Sequence, residues 1–113
     1  MWQPSAGRVA AANLTAFAAC ANLPADYATI HRWSIEHSAD FWSLLWDFAE
    51  VWGEKGQRTL VDGHKMPGAR WFPDARLNYA ENLLRRRDDG TALVFSGEEK
   101  VTRRMTYGEL YLR

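Results

Sequence analysis

Apolar residues in the first half of this chain recur at helical spacing, and strand-like runs appear only near its end. Val9, Ala12, Ala16, Phe17 and Cys20 share one face of an alanine-rich helix that Ser5 is placed to cap. Asp26 caps a second helix, in which Tyr27, Ile30 and Trp33 are spaced to face one way. Ser38 is positioned to cap a third, expected over residues 40–52 and stopped by Gly53. On it, Phe41, Leu44, Leu45, Phe48 and Trp52 form one face, while Trp42, Trp46 and Ala49 form another. A helix apolar on nearly all sides needs cover on nearly all sides, and few other elements are at hand to supply it.

Residues 53–68 hold four glycines, one proline and mixed charge, and predict a surface connection. The junction that follows, residues 71–84, is the most specific stretch of the chain. Pro73 fixes its own φ and pushes Phe72 out of the α region, so Trp71 and Phe72 are expected extended. Asn78 is an N-cap with Glu81 three residues on, the pattern of a capping box, opening a helix expected over residues 79–87. Arg85, Arg86 and Arg87 then fall where the helix dipole favours cations. Asp88-Asp89-Gly90 is a turn, and residues 92–95 and 101–105 predict the strands of a β-hairpin around a loop at 97–100. Thr106-Tyr107-Gly108-Glu109 is a second capping box, opening a helix with Tyr107, Leu110 and Tyr111 on one side. Only two turns follow that cap, and so short a helix is marginal by itself. The chain therefore reads as the N-terminal piece of something larger: an α+β fragment of three to four helices, then a hairpin and the start of a helix.

Composition narrows the functional classes. With 47% apolar residues and six tryptophans among 113 residues, the chain is globular rather than disordered. Its basic and acidic side chains cancel to a formal charge of zero, which offers no electrostatic footing for a nucleic acid. A single cysteine, Cys20, excludes an intramolecular disulfide and fits a reducing compartment. No apolar stretch reaches the roughly 20 residues that span a bilayer. Residues 9–21 after Arg8 imitate a short signal peptide, with Ala19-Cys20-Ala21 as a small-residue cleavage site. Asn13 and Thr15 interrupt that apolar core, so the helix is the better reading.

Candidate chemistry is sparse. His31, His37 and His64 stand at no metal-ligand spacing, and Cys20 has no partner. Gly53-Glu54-Lys55-Gly56 and Gly63-His64-Lys65 bring glycine near lysine without matching a phosphate-cradling loop. The three arginines could touch a phosphate, but a charge run at a helix end is ordinarily solvated. Glu98 and Glu99 read as a soluble hairpin tip. Trp33, Trp42, Trp46 and Trp52 share helical faces with Phe and Leu, as core residues do, rather than forming a sugar- or base-stacking platform. No residue is paired as a nucleophile with its base, so no catalytic, cofactor-binding or metal residue is expected.

Trp33-Ser34, Asp40-Phe41-Trp42, Trp71-Phe72-Pro73, Leu77-Asn78-Tyr79-Ala80-Glu81-Asn82-Leu83-Leu84 and Thr106-Tyr107-Gly108-Glu109-Leu110 occur in this order. Together they resemble the N-terminal region of the acetyl-CoA synthetase group of adenylate-forming ligases. Within that group the chain looks most like the acetoacetyl-CoA synthetases, with acetyl- or propionyl-CoA ligases as the alternative. The opening Trp2-x-Pro4-Ser5 is similar to how such proteins begin. Asp74 departs from the glycine that members often carry, at a turn position that tolerates Asp. The resemblance implies residues 1–90 as a helical N-terminal region and 91–113 as the start of an AMP-binding α/β domain.

It also implies a two-step reaction. A carboxylate such as acetoacetate attacks the α-phosphate of ATP with magnesium, giving an acyl-adenylate and diphosphate; the thiol of coenzyme A then displaces AMP. The elements serving that chemistry lie further along the family's longer chains, which leaves scaffold duty here. The implied partners are the remainder of a ligase chain and its small carboxylate substrate, in the cytoplasm, with neither nucleic acid nor membrane. A stand-alone helical module that docks a partner through its aromatic face is the rival from another class.

Overall fold

Asp26, Asn78 and Thr106 each cap the helix they were expected to open. Asp26 accepts from the Thr29 amide at 2.9 Å, and Asn78 Oδ1 accepts from the amides of Ala80 and Glu81 at 2.9 and 3.3 Å. Thr106 and Glu109 complete a reciprocal box at 3.1 and 2.8 Å. The computed structural model describes residues 2–98 and 101–113; Glu99 and Lys100, expected in the hairpin loop, lie outside the described residues. The chain packs as two compact units, one ending at Arg76 and one spanning Leu77–Arg113. Helices followed by short antiparallel pairs give the α+β organisation expected.

The first unit carries α1 (Ala6–Ala10), α2 (Asn13–Cys20), α3 (Tyr27–Glu36) and α4 (Ser38–Phe48). The single alanine-rich helix expected after Ser5 is therefore two. Ala12 is extended (φ −76°, ψ 140°), and the Val9 carbonyl takes the Thr15 hydroxyl at 2.7 Å and the Ala12 amide at 3.1 Å. These bonds outweigh alanine's helix preference, and the break frees α2 to aim Phe17 and Ala18 inward. At its far end Asn22 takes a φ of +54°, while the amides of Asn22 and Leu23 donate to the carbonyls of Ala19 and Ala18. That is a Schellman stop, with Asn at the left-handed position glycine usually fills.

A second correction concerns α4. Ser38 is its first residue, not its cap, because α3 and α4 are joined by the single residue His37. The helix ends at Phe48 rather than Trp52. Glu50 takes the left-handed position (φ +51°), and the amides of Glu50 and Val51 donate to the carbonyls of Asp47 and Trp46. Hydrogen-bond closure, rather than Gly53, decides where it stops.

Phe17 is the hub of this unit. Its ring meets Phe48 at 5.3 Å and Phe41 at 5.5 Å, both edge to face, and Trp33 at 6.4 Å. Phe17, Ala18 and Ile30 are the buried apolar residues among those described. The tryptophans expected in the core reach it only partly: Trp33 and Trp46 are half-buried, whereas Trp42 and Trp52 are exposed. Trp52 lies beyond the end of the helix whose face it was expected to share.

The connection expected at residues 53–68 is instead half of a strap. β1 (Leu60–Val61) pairs antiparallel with β2 (Arg70–Trp71), Phe72 donates to the Thr59 carbonyl at 2.8 Å, and Glu54 and Arg76 exchange two backbone bonds. Two-residue strands are too short to carry an alternating signal, which is why the sequence reads as loop. The strap lies along the second face of α4. Trp71 meets Trp42 at 5.7 Å, Phe72 meets Trp46 at 5.0 Å, and Lys55 Nζ donates to the Ser43 carbonyl and to Asp47. Both apolar faces of the helix thus find partners, although none of its residues is fully buried.

The second unit holds α5 (Tyr79–Leu83), β3 (Thr91–Ser96), β4 (Thr102–Thr106) and α6 (Tyr107–Tyr111). The two strands of the hairpin match expectation to within a residue, with a bulge between Thr91 and Leu93. The helix expected over residues 79–87 does not. It ends at Leu83, so Arg85, Arg86 and Arg87 follow the helix rather than complement its dipole. Arg86 instead lies over the Tyr107 ring at 4.3 Å and bonds Asp88, and Arg87 lies over Tyr111 at 3.7 Å. Those stacks compete with continued helix and win.

Candidate functional site

The strap and α4 together build an aromatic recess of about 290 Å³ lined by Trp42, Trp71 and Phe72. Its position follows from local chemistry. Phe72 opens a β-turn closed by the Ala75 amide on the Phe72 carbonyl at 2.9 Å, with Pro73 at the second position that its fixed φ suits. Trp71 is extended as expected, but Phe72 is not: its φ is +43°. This is the correction to the reading of the Trp-Phe-Pro stretch. Pro73 closes the right-handed α region to Phe72, and the turn and the Trp46 contact hold it in a left-handed conformation that costs on the order of 1–3 kcal/mol.

Arg58 anchors that turn. Its Nε donates to Asp74 Oδ2 at 2.8 Å and its Nη2 to Oδ1, a two-pronged grip on one carboxylate. The bond to Arg58 holds the Asp74 carboxyl below its ordinary range. Gly56, at φ +75°, lets the two loop segments touch, since a Cβ there would sit 2.6 Å from the Asp74 Cβ. A depressed carboxylate stabilises the fold above its unfolded value of about 4, and loses that contribution as pH falls through its lower folded value. Asp74→Asn should therefore flatten the acid limb of Trp fluorescence below about pH 4 relative to the parent. The pair is solvent-accessible, so added salt should shrink the difference. Identical acid limbs for the two proteins would rule out this role.

The recess has an aromatic wall and no acid–base couple, so it can hold an apolar surface but cannot move a proton. Residues singled out earlier are dispersed. Tyr27 stacks on His31 at 5.6 Å, and His37 Nδ1 stands 3.9 Å from Asp40. Lys55 is taken by Asp47 and the Ser43 carbonyl, and Lys65 pairs with Asp62 at 3.3 Å, so neither glycine–lysine loop offers its ammonium to a phosphate. Cys20 is exposed. No group of three or more His, Cys, Asp or Glu among the described residues could hold a metal, and no described helix is long and apolar enough to cross a membrane. Sequence reasoning missed Arg58 and Lys55, which act on partners 16 and 12 residues away and leave no local signature.

Comparison with known proteins places these elements in context. The model of the acetyl-coenzyme A synthetase N-terminus matches residues 27–83. An acetoacetyl-coenzyme A synthetase of Rhizobium meliloti (strain 1021) is 51% identical over 86 residues, covering 76% of this chain and 13% of that protein. An acetoacetyl-CoA synthetase of Macaca fascicularis is 34% identical over 98 residues, covering 82% of this chain and 14% of that one. Among solved structures, the acetoacetyl-CoA synthetase from Streptomyces lividans superposes with a TM-score of 0.82 at 40% identity, over 96% of this chain and 18% of its own. The chain thus spans under a fifth of the length of these relatives.

Proposed function

The chain belongs to the family of acetyl-coenzyme A synthetase N-termini, and from that premise we propose that it is the N-terminal segment of an acetoacetate–CoA ligase. The parent reaction is acetoacetate, ATP and coenzyme A to acetoacetyl-CoA, AMP and diphosphate. What carries the reading is the agreement with the Streptomyces lividans enzyme across 96% of the chain at 40% identity. Residues 1–90 form the helical N-terminal region and residues 91–113 enter the AMP-binding domain. A free, exposed thiol at Cys20 suits a cytoplasmic enzyme.

ATP, magnesium and coenzyme A belong to the rest of the ligase. The residues here do not fit a site for them: the described residues offer no metal-binding cluster, and the lysines of both glycine-containing loops are held by Asp47, Ser43 and Asp62. No catalytic residue is assigned to this segment, and its duty is scaffolding.

Two measurements test this. Incubated with ATP, coenzyme A and acetoacetate, residues 1–113 should release no diphosphate above the blank; measurable turnover would overturn the scaffold assignment. A chain that carries this segment at the relatives' full length should release diphosphate fastest with acetoacetate. A preference for acetate or propionate would move the reading to the alternative ligases.

A further inference from the structure

The hairpin of the second unit presents a sheet face that its own unit leaves open. In the β3–β4 register Leu93 lies opposite Met105 and Phe95 opposite Arg103, so these four share one face. With Arg104, Glu109, Leu112 and Arg113 they line an open cleft of about 530 Å³, in which the Glu109 carboxylate accepts from the Thr106 amide. Leu93, Phe95 and Leu112 are 51%, 59% and 83% exposed. A two-stranded hairpin is marginal alone, and so much apolar surface at one place marks a contact.

Arg103 says what that contact must carry. Arg58, Arg86 and Arg87 each have a carboxylate or a ring. The Arg103 guanidinium makes no hydrogen bond or ion pair with any described residue, although it sits directly across from Phe95 in the apolar patch. Covering Leu93, Phe95 and Met105 with an apolar surface would strand its guanidinium in low dielectric unless that surface brought an acceptor. A carboxylate matches the guanidinium fork in two bonds. A small free anion would satisfy Arg103 yet leave the four apolar side chains wet, so it does not fit the whole patch.

We propose that this face docks an apolar polypeptide surface bearing one carboxylate that pairs with Arg103, supplied by the body of the ligase. The inference rests on the ligase reading above.

The test uses the ligase chain that carries this segment. Arg103→Glu and Arg103→Leu should each lower Tm by several degrees, because either leaves a carboxylate buried without its partner; Arg103→Lys should recover part of the loss. Thr102→Glu, on the opposite face near the hairpin tip, should leave Tm almost unmoved. Within the Arg103→Glu background, reversing the charge of the partner carboxylate should restore Tm, and a scan of acidic residues to Lys identifies it. The proposal is overturned if Arg103→Leu is no worse than Thr102→Glu, or if no reversal rescues Arg103→Glu. The ligase reading is judged separately by the parent's diphosphate release. An active parent with an indifferent Arg103 sinks the docking alone, and a parent inactive on acetoacetate sinks the ligase reading without altering the Tm comparison.

Discussion

Phe17→Ala should cost the first unit about 3–5 kcal/mol, much of the stability a small domain possesses. The ring is 4% exposed and touches three other aromatic rings at 5.3–6.4 Å, from both α3 and α4. Its removal deletes apolar burial and opens a cavity that three short helices can close only by moving. Chemical denaturation followed by Trp fluorescence reads the effect, since Trp33 is one of the contacts. Phe17→Leu keeps most of the volume and should cost far less. Leu14→Ala, one turn earlier and 48% exposed, should cost about 1 kcal/mol or less. Equal midpoints for Phe17→Ala and Leu14→Ala would contradict the hub.

Gly56→Ala should destabilise the strap by about 2–4 kcal/mol, combining a left-handed backbone penalty with overpacking. The φ of +75° is unfavourable for any side chain, and the new Cβ would lie 2.6 Å from the Asp74 Cβ and 3.0 Å from its backbone carbon. Neither atom is the tip of a flexible chain, so the turn itself must give way. With it go the Arg58–Asp74 grip and the register that lays Trp71 on Trp42. Near-ultraviolet circular dichroism, which senses the packing of these tryptophans, should lose intensity before the far-ultraviolet helix signal does. Gly7→Ala is the opposite case. Gly7 lies within α1 with nothing within 4 Å of the added methyl, so alanine there should stabilise by about 0.5–1 kcal/mol. A neutral Gly56→Ala would mean that the strap tolerates a side chain where the close approach forbids it.

The apolar faces of α4 illustrate how far the pattern could be read. Residue spacing correctly announced that Phe41 and Phe48 face one way and Trp42 and Trp46 another, and that both directions needed cover. It could not name the cover. Phe17 arrives from an earlier helix, while Trp71 and Phe72 arrive from a stretch whose paired strands are two residues long. The arginine run failed for a related reason. Arg85, Arg86 and Arg87 look like a helix C-terminus until Tyr107 and Tyr111, some twenty residues on, offer ring faces that reward leaving the helix.

What the sequence determined alone are the caps at Ser5, Asp26, Asn78 and Thr106, the Asp88–Gly90 turn, the hairpin pairing, and the motif run that marks the family. Each cap or turn is a bond between near neighbours, and the hairpin shows as two adjacent strand-like runs around a short loop. Only the tertiary structure decided where α1 breaks, where α4 and α5 stop, and that the glycine-rich connection folds back as a strap. The strap and the end of α5 turn on contacts from 12 or more residues away, about which propensity carries no information, whereas α1 breaks and α4 stops on bonds spanning three to six residues that propensity does not rank.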